Sequence, residues 1–284
     1  MKVIDQALLE KVIIERSRTS HKGDHGRLLL LGGTYPYGGA IIMSAIAAVK
    51  SGAGLVTVGT DRENIPALHS HLPEAMAFSL QDQQLLKEQL EKAEVVLLGP
   101  GLGDDAFGED LVKQIFAGLK QNQILIVDGG ALTILARTSL SFPSNQLILT
   151  PHQKEWEKLS GITIEKQNEA TTASALTSFY QGTILVEKGP ATRIWQAGQS
   201  DYYQLQVGGP YQATGGMGDT LAGMIVGFAG QFKQASLYER VAVATHLHSA
   251  IAQELSQEHY VVLPTEITNC LPTVMNKISQ KRLG

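Results

Sequence analysis

Short apolar runs that stop at glycine recur along this chain, and they leave it few ways to fold. Residues 28–31 run into Gly32-Gly33, 55–58 into Gly59, 94–98 into Gly99-Pro100-Gly101, and 124–127 into Asp128-Gly129-Gly130. The runs are nearly continuous in apolar residues rather than alternating, which is the pattern of strands covered on both faces. Two more, 147–150 and 183–187, lead into Pro151 and Lys188-Gly189. Strands of this kind belong to a parallel sheet flanked by helices. In such a sheet the carboxyl ends lie along one edge, so glycine turns far apart in sequence converge on one crevice. With 284 residues, 43% of them hydrophobic, the chain can bury one large α/β core, and we read 1–284 as a single domain.

The most informative turn is Ala213-Thr214-Gly215-Gly216-Met217-Gly218-Asp219-Thr220. From Asp219 onward, Leu221, Met224, Ile225 and Phe228 recur at helical spacing, so the loop opens a buried helix. The first turn of a helix has free N–H groups and the positive end of the macrodipole, and glycines let an anion reach them. Phosphate oxygens fit there without a basic side chain in the loop. Asp219 is either the helix cap or a base aimed at the group that attacks the phosphorus.

Composition narrows the function further. The net charge of −4 is spread without a basic run, which gives no support to a nucleic-acid or anionic-membrane surface. A single cysteine, Cys270, rules out an intrachain disulfide and fits a reducing cytoplasm. No secretory leader and no apolar run of about 18 residues is visible, so we expect a cytoplasmic protein acting on small molecules.

The remaining segments supply candidate ligands. Residues 1–20 read as a lead-in helix. His21 and His25 have a metal-like spacing but no third ligand beside them. Residues 32–40 form a glycine turn into a small-residue helix over 41–51, and no Gly-x-Gly-x-x-Gly dinucleotide fingerprint can be read there. Asp128 is a helix cap or an acid near magnesium. Pro151 opens a helix on which His152 and Glu155 share a face, unless they serve only as cap and solvated acid. Lys188-Gly189-Pro190-Ala191-Thr192 offers a cation, an open backbone and a hydroxyl for a nucleotide, or is a hairpin turn into a returning strand at 193–195; both can hold. An edge strand at 201–207, a helix at 234–254 and a C-terminal helix after Pro264 complete the reading. His246 and His248 face different ways and are poor joint metal ligands.

Gly-Gly-Met-Gly-Asp at 215–219 resembles the anion-hole motif of the ribokinase-like superfamily. His-Lys-Gly-Asp at 21–24, Gly-Pro-Gly-Leu-Gly at 99–103 and Pro-His-x-x-Glu at 151–155 resemble, more narrowly, the ADP- or ATP-dependent NAD(P)H-hydrate dehydratases, from about His21 to about Leu271. The resemblance implies a three-layer α/β/α sandwich with a mostly parallel central sheet. It implies substrate contacts from Ala40, Gly103, His152 and Asp219, nucleotide contacts from Lys188, Gly189, Pro190, Ala191, Thr192 and Gly218, and an anion hole from Gly215, Gly216, Met217 and Gly218. Asp219 would be the catalytic base, and Glu155 would organise Mg2+ through water. ADP or ATP would phosphorylate the hydroxyl of NAD(P)H-hydrate, and phosphate would then leave to give NAD(P)H. A homo-oligomer, a tetramer in the family, and a separate epimerase chain are also implied, since no stretch outside the dehydratase region is long enough for an epimerase domain. The alternative is a small-molecule kinase of the same superfamily acting on a vitamin-precursor alcohol. Histidine in place of the superfamily's Asn-x-x-Glu asparagine, together with the turns at 38–40 and 99–103, speaks against it.

Overall fold

Residues within each apolar run alternate between two cores. Leu28 and Leu30, Val95 and Leu97, and Ile184 and Val186 face one; Leu29 and Leu31, Val96 and Leu98, and Leu185 face the other. That is why the runs are continuous: both faces of the sheet are dry. The computed structural model describes residues 1–138, 140–143 and 146–280. Its strands are β1 (Arg27–Leu31), β2 (Leu55–Thr60), β3 (Met76–Ser79), β4 (Val95–Leu98), β5 (Ile124–Val127), β6 (Gln146–Leu149), β7 (Ile184–Glu187), β8 (Arg193–Gln196) and β9 (Tyr203–Gln204). Its helices are α1 (Gln6–Val12), α2 (Gly38–Lys50), α3 (Asn64–His71), α4 (Gln83–Lys92), α5 (Ala106–Gly118), α6 (Gly129–Arg137), α7 (Gln153–Ser160), α8 (Glu169–Leu176), α9 (Met217–Gly230), α10 (Leu237–Leu255) and α11 (Pro264–Gln280).

The strands form one sheet in the order β3-β2-β1-β4-β5-β6-β7-β8-β9. Pairing is parallel from β3 to β7, and β8 and β9 add antiparallel strands at the far edge. Helices α2, α9, α10 and α11 cover one face, and α4 to α8 the other. The expected mostly parallel three-layer sandwich is thus observed. Among the described residues no helix is long and apolar enough to cross a membrane.

Several boundaries differ from the sequence reading. β3 (MAFS), which the sequence reading passed over, is a short edge strand with Met76 44% exposed. The edge strand expected over 201–207 shrinks to Tyr203–Gln204: Leu205 still donates its N–H to Thr192, but the chain then turns away at Gly208, whose φ is +109°. α2 begins at Gly38, ahead of the expected 41. α10 begins at Leu237 instead of 234, fixed by a capping box in which Ser236 and Glu239 bond each other's backbone N–H.

Two features of the packing place the site. β1 lies between β2 and β4, so the chain order reverses there and a crevice opens above the carboxyl ends of β1 and β4. The two loops at that crevice are tied together: Gly33 N–H donates to Pro100 O at 2.9 Å, Thr34 N–H to Gly101 O at 2.8 Å, and Gly103 N–H to Thr34 Oγ1 at 2.7 Å. α2 and α9, which start at the same edge, pack in near-backbone contact. A Cβ at Gly223 would stand 2.2 Å from the Ser44 carbonyl oxygen, so only glycine permits the approach.

Candidate active site

α9 begins two residues earlier than its apolar stripe indicated. Gly216 is the N-cap in the left-handed region at φ +92°, and its carbonyl accepts from Thr220 N–H at 2.9 Å. Met217, Gly218 and Asp219 are therefore the first turn, with their N–H groups free of helical partners. A Cβ at Gly215 would meet nothing within 4 Å, so this glycine faces open space. Asp219 is not the cap. Burial and the Asp128 charge push its carboxyl up to about 6, against the opposing pull of the Lys188 ammonium. Its carbonyl accepts from Ser44 Oγ at 2.8 Å, which ties the first turn of α9 to α2.

Lys188, at the end of β7, reaches back over this turn. A Cβ built on Gly218 would lie 3.2 Å from its Nζ. The ammonium donates to Asp128 Oδ1 at 2.9 Å, and Thr150 Oγ1 donates to the same oxygen at 2.6 Å. Burial works against the charge on Lys188, but Asp128, Glu155 and Asp219 together outweigh it and hold the ammonium above its ordinary range. Asp128, which the sequence left as a cap or a metal-side acid, occupies the N-cap position of α6 without capping it by its side chain.

His152 and Glu155 form the next wall. His152 is the N-cap of α7: its Nδ1 accepts from Lys154 N–H and Glu155 N–H at 3.2 Å, and Glu155 Oε2 accepts from His152 N–H at 2.8 Å. The capping role is real, but Glu155 is not the solvated acid of the plain alternative. It is only 8% exposed, and burial pushes its carboxyl up to about 7. Burial and the Lys188 charge lower the proton affinity of His152. Lys188 N–H donates to Pro151 O at 2.9 Å, so the His152 loop and the Lys188 loop are joined.

Two of the residues expected on the substrate side, Ala40 and Gly103, lie near each other at the β1/β4 crevice. A Cβ on Gly101 would lie 2.9 Å from Ala40 Cβ, two residues before Gly103. Ala40 in turn accepts from Ser44 Oγ at 3.2 Å, the hydroxyl that bonds Asp219. The start of α9 also borders a cavity of about 570 Å³, lined by Lys188, Gly189, Pro190, Thr192, Met217 and Gly218 among others. The hairpin reading of 188–192 is the one observed. The segment is a hairpin turn, with Glu187 paired to Arg193, and it walls the cavity. Ala191 is exposed and does not line the cavity.

Sequence reasoning missed the opposite wall, where Gln212, Thr245, His248 and Ser249 contribute. His248 had been weighed only as a metal ligand with His246. In fact it is 5% exposed, and its Nε2 has no hydrogen-bond partner. Only the Gly208-Gly209 pair marked this wall in the sequence. His21 and His25 are occupied elsewhere: His21 caps a short 3₁₀ turn, and His25 Nε2 lies 3.1 Å from Ser20 Oγ.

Among the described residues there is no group of three or more His, Cys, Asp or Glu side chains that could hold a metal. Mg2+ does not require one, since it keeps several waters and binds through phosphates with one or two carboxylates. Glu155 fits that mode: it is a buried carboxyl at the crevice whose ionisation a nearby cation would favour.

A family model for NAD(P)H-hydrate dehydratase matches residues 28–273. The chain belongs to the NAD(P)H-hydrate dehydratase family. An "ADP-dependent (S)-NAD(P)H-hydrate dehydratase" of Streptococcus pneumoniae is 89% identical over 281 residues, which are 99% of this chain and 97% of that protein. A ribokinase-like superfamily protein from Enterococcus faecalis has the same fold with a TM-score of 0.94, at 42% identity over 98% of this chain and 96% of its own. The ADP/ATP-dependent NAD(P)H-hydrate dehydratase of Bacillus subtilis, co-crystallised with ATP/Mg2+, matches with a TM-score of 0.82 and 27% identity over 96% of this chain and 97% of its own. The crevice of this dehydratase-family member is the one that the glycine-ended strands led us to expect.

Proposed function

We propose that this protein dehydrates (S)-NAD(P)H-hydrate to NAD(P)H with ADP as the phosphoryl donor, giving AMP and phosphate. The observation that carries the chemistry is the meeting of three groups at one helix start: free N–H groups of α9, the Lys188 ammonium over Gly218, and the Asp219 carboxyl. The helix N-terminus and Lys188 receive the terminal phosphate and offset the charge that develops on it. Asp219 takes the proton of the hydrate's hydroxyl as that oxygen attacks the phosphorus. The bond to the nucleotide's bridging oxygen breaks, and AMP leaves. In the phosphorylated hydrate the ring nitrogen then pushes out phosphate, a far better leaving group than hydroxide. Loss of a ring proton completes the carbon–carbon double bond.

Ala40, Gly103 and His152 form the substrate wall in this reading. Lys188, Gly189, Pro190, Thr192 and Gly218 hold the nucleotide in the adjoining cavity. Mg2+ bound by the phosphates, with Glu155 acting through water, would neutralise phosphate charge. In this reading the protein works in the cytoplasm as a homo-oligomer.

The test is a product assay. With magnesium, ADP and hydrated NADH, the purified protein should restore dihydronicotinamide absorbance and release one phosphate per NADH formed. A stable phosphoester with no return of absorbance would instead identify a kinase. Parallel runs with ATP measure donor preference.

A further inference from the structure

We propose that Asp128 is a positioning residue of the phosphoryl-transfer centre, its carboxylate holding the Lys188 ammonium against the first turn of α9. The proposal rests on the dehydratase reading above. Asp128 follows β5, and Lys188 follows β7, two strands away across β6. β6 supplies the link, because Thr150 at its end donates to the same Asp128 oxygen that receives Lys188. Asp128 is 2% exposed, and a carboxylate so buried persists only when paired and hydrogen-bonded. Its side chain has been released from capping α6, so its bonding is directed into the crevice.

The geometry gives this pair a purpose that stability alone does not. Lys188 has two other carboxylates close enough to favour its charge, Glu155 and Asp219. A Lys188 freed from Asp128 would turn to one of them. Pairing with Asp219 would occupy the base and draw the ammonium off the phosphate position. Asp128 prevents both by holding Nζ beside Gly218. It also faces Asp219 as a negative charge and raises its proton affinity, so the base takes the substrate proton more readily. Among the described residues, the charged groups that act on Asp219 are Asp128, which follows β5, and Lys188, which follows β7; the Ser44 hydroxyl of α2 donates to its carbonyl.

The experiment is a double-mutant cycle of Asp128→Asn and Lys188→Met, read by calorimetric ADP binding and by the pH profile of kcat/KM on hydrated NADH. Asparagine keeps the acceptor for Thr150 and loses only the charge. In the wild-type background Asp128→Asn should weaken ADP about tenfold, and in the Lys188→Met background it should no longer weaken it. The acid limb of kcat/KM should move to lower pH in Asp128→Asn and to higher pH in Lys188→Met. Should Asp128→Asn fail to fold, Thr150→Val carries the same cycle, because it removes the hydroxyl that anchors Asp128. Equal weakening of ADP in both backgrounds with an unmoved acid limb would make Asp128 structural and overturn the proposal. Failure of the wild-type protein to dehydrate the hydrate would overturn the functional reading instead, which the same measurements separate.

Discussion

Replacing Asp219 by asparagine should make the protein more stable while removing its activity. The carboxyl is held at about 6, against an ordinary 3.8. That gap of roughly two pH units corresponds to about 3 kcal/mol of penalty on the ionised form in the fold. Asp219 is only partly buried, so solvent screening trims the figure to about 1–2 kcal/mol. Folding raises this pKa, so the native state holds the proton more tightly than the unfolded chain, and the wild-type protein loses stability as pH climbs from 3.8 through about 6. The amide does not titrate. The stability difference between the two proteins should therefore open across that window and be full at pH 7, with a gain of roughly 2–6 °C in melting temperature. Melts of both proteins between pH 4 and pH 8 read it directly. Turnover, followed by dihydronicotinamide absorbance and phosphate release, should fall by roughly 10² to 10⁴. In the wild type kcat/KM should lose about tenfold per pH unit below about 6. A stability difference between the two proteins no larger at pH 7 than at pH 4 would refute the buried-charge argument, and near-wild-type turnover would refute the role as base.

Three further outcomes follow from contacts already described. Lys188→Ala should raise the KM for nucleotide more than it lowers the saturated rate; unchanged affinity by calorimetry would leave residues 188–192 as a hairpin only. Gly223→Ala should cost about 1–3 kcal/mol by forcing α2 and α9 apart and should lower turnover through the Ser44–Asp219 bond, whereas Gly215→Ala, in open space, should leave the melting temperature unchanged. His152→Ala should cost about 0.5–2 kcal/mol through the lost cap of α7 and raise the KM for hydrate with little change for ADP, and an unchanged KM for hydrate would reduce His152 to a cap.

The central strands and the glycine-rich start of α9 were legible because their causes are local. A strand dry on both faces must be apolar throughout, and the left-handed N-cap at Gly216 is a conformation that glycine adopts freely. The edges were less legible. β3 is short and half solvated and was not read at all, and of the edge strand read at 201–207 only Tyr203–Gln204 pairs. The cavity wall from Gln212 to Ser249 escaped for a related reason, since a buried histidine on α10 looks in sequence like any core residue of that helix.

By itself, then, the sequence determined a glycine-edged parallel sheet, a glycine-rich helix start with an acid in its first turn, and, through its motifs, the family. Only the tertiary structure decided what the charged groups do. Asp128, Thr150, Lys188 and Asp219 come from four separate segments, and nothing in their spacing says that Asp128 bonds Lys188 instead of capping α6. Charge interactions depend on distance and burial, which for residues 60 positions apart exist only once β5, β6 and β7 have paired and the crevice has closed over them.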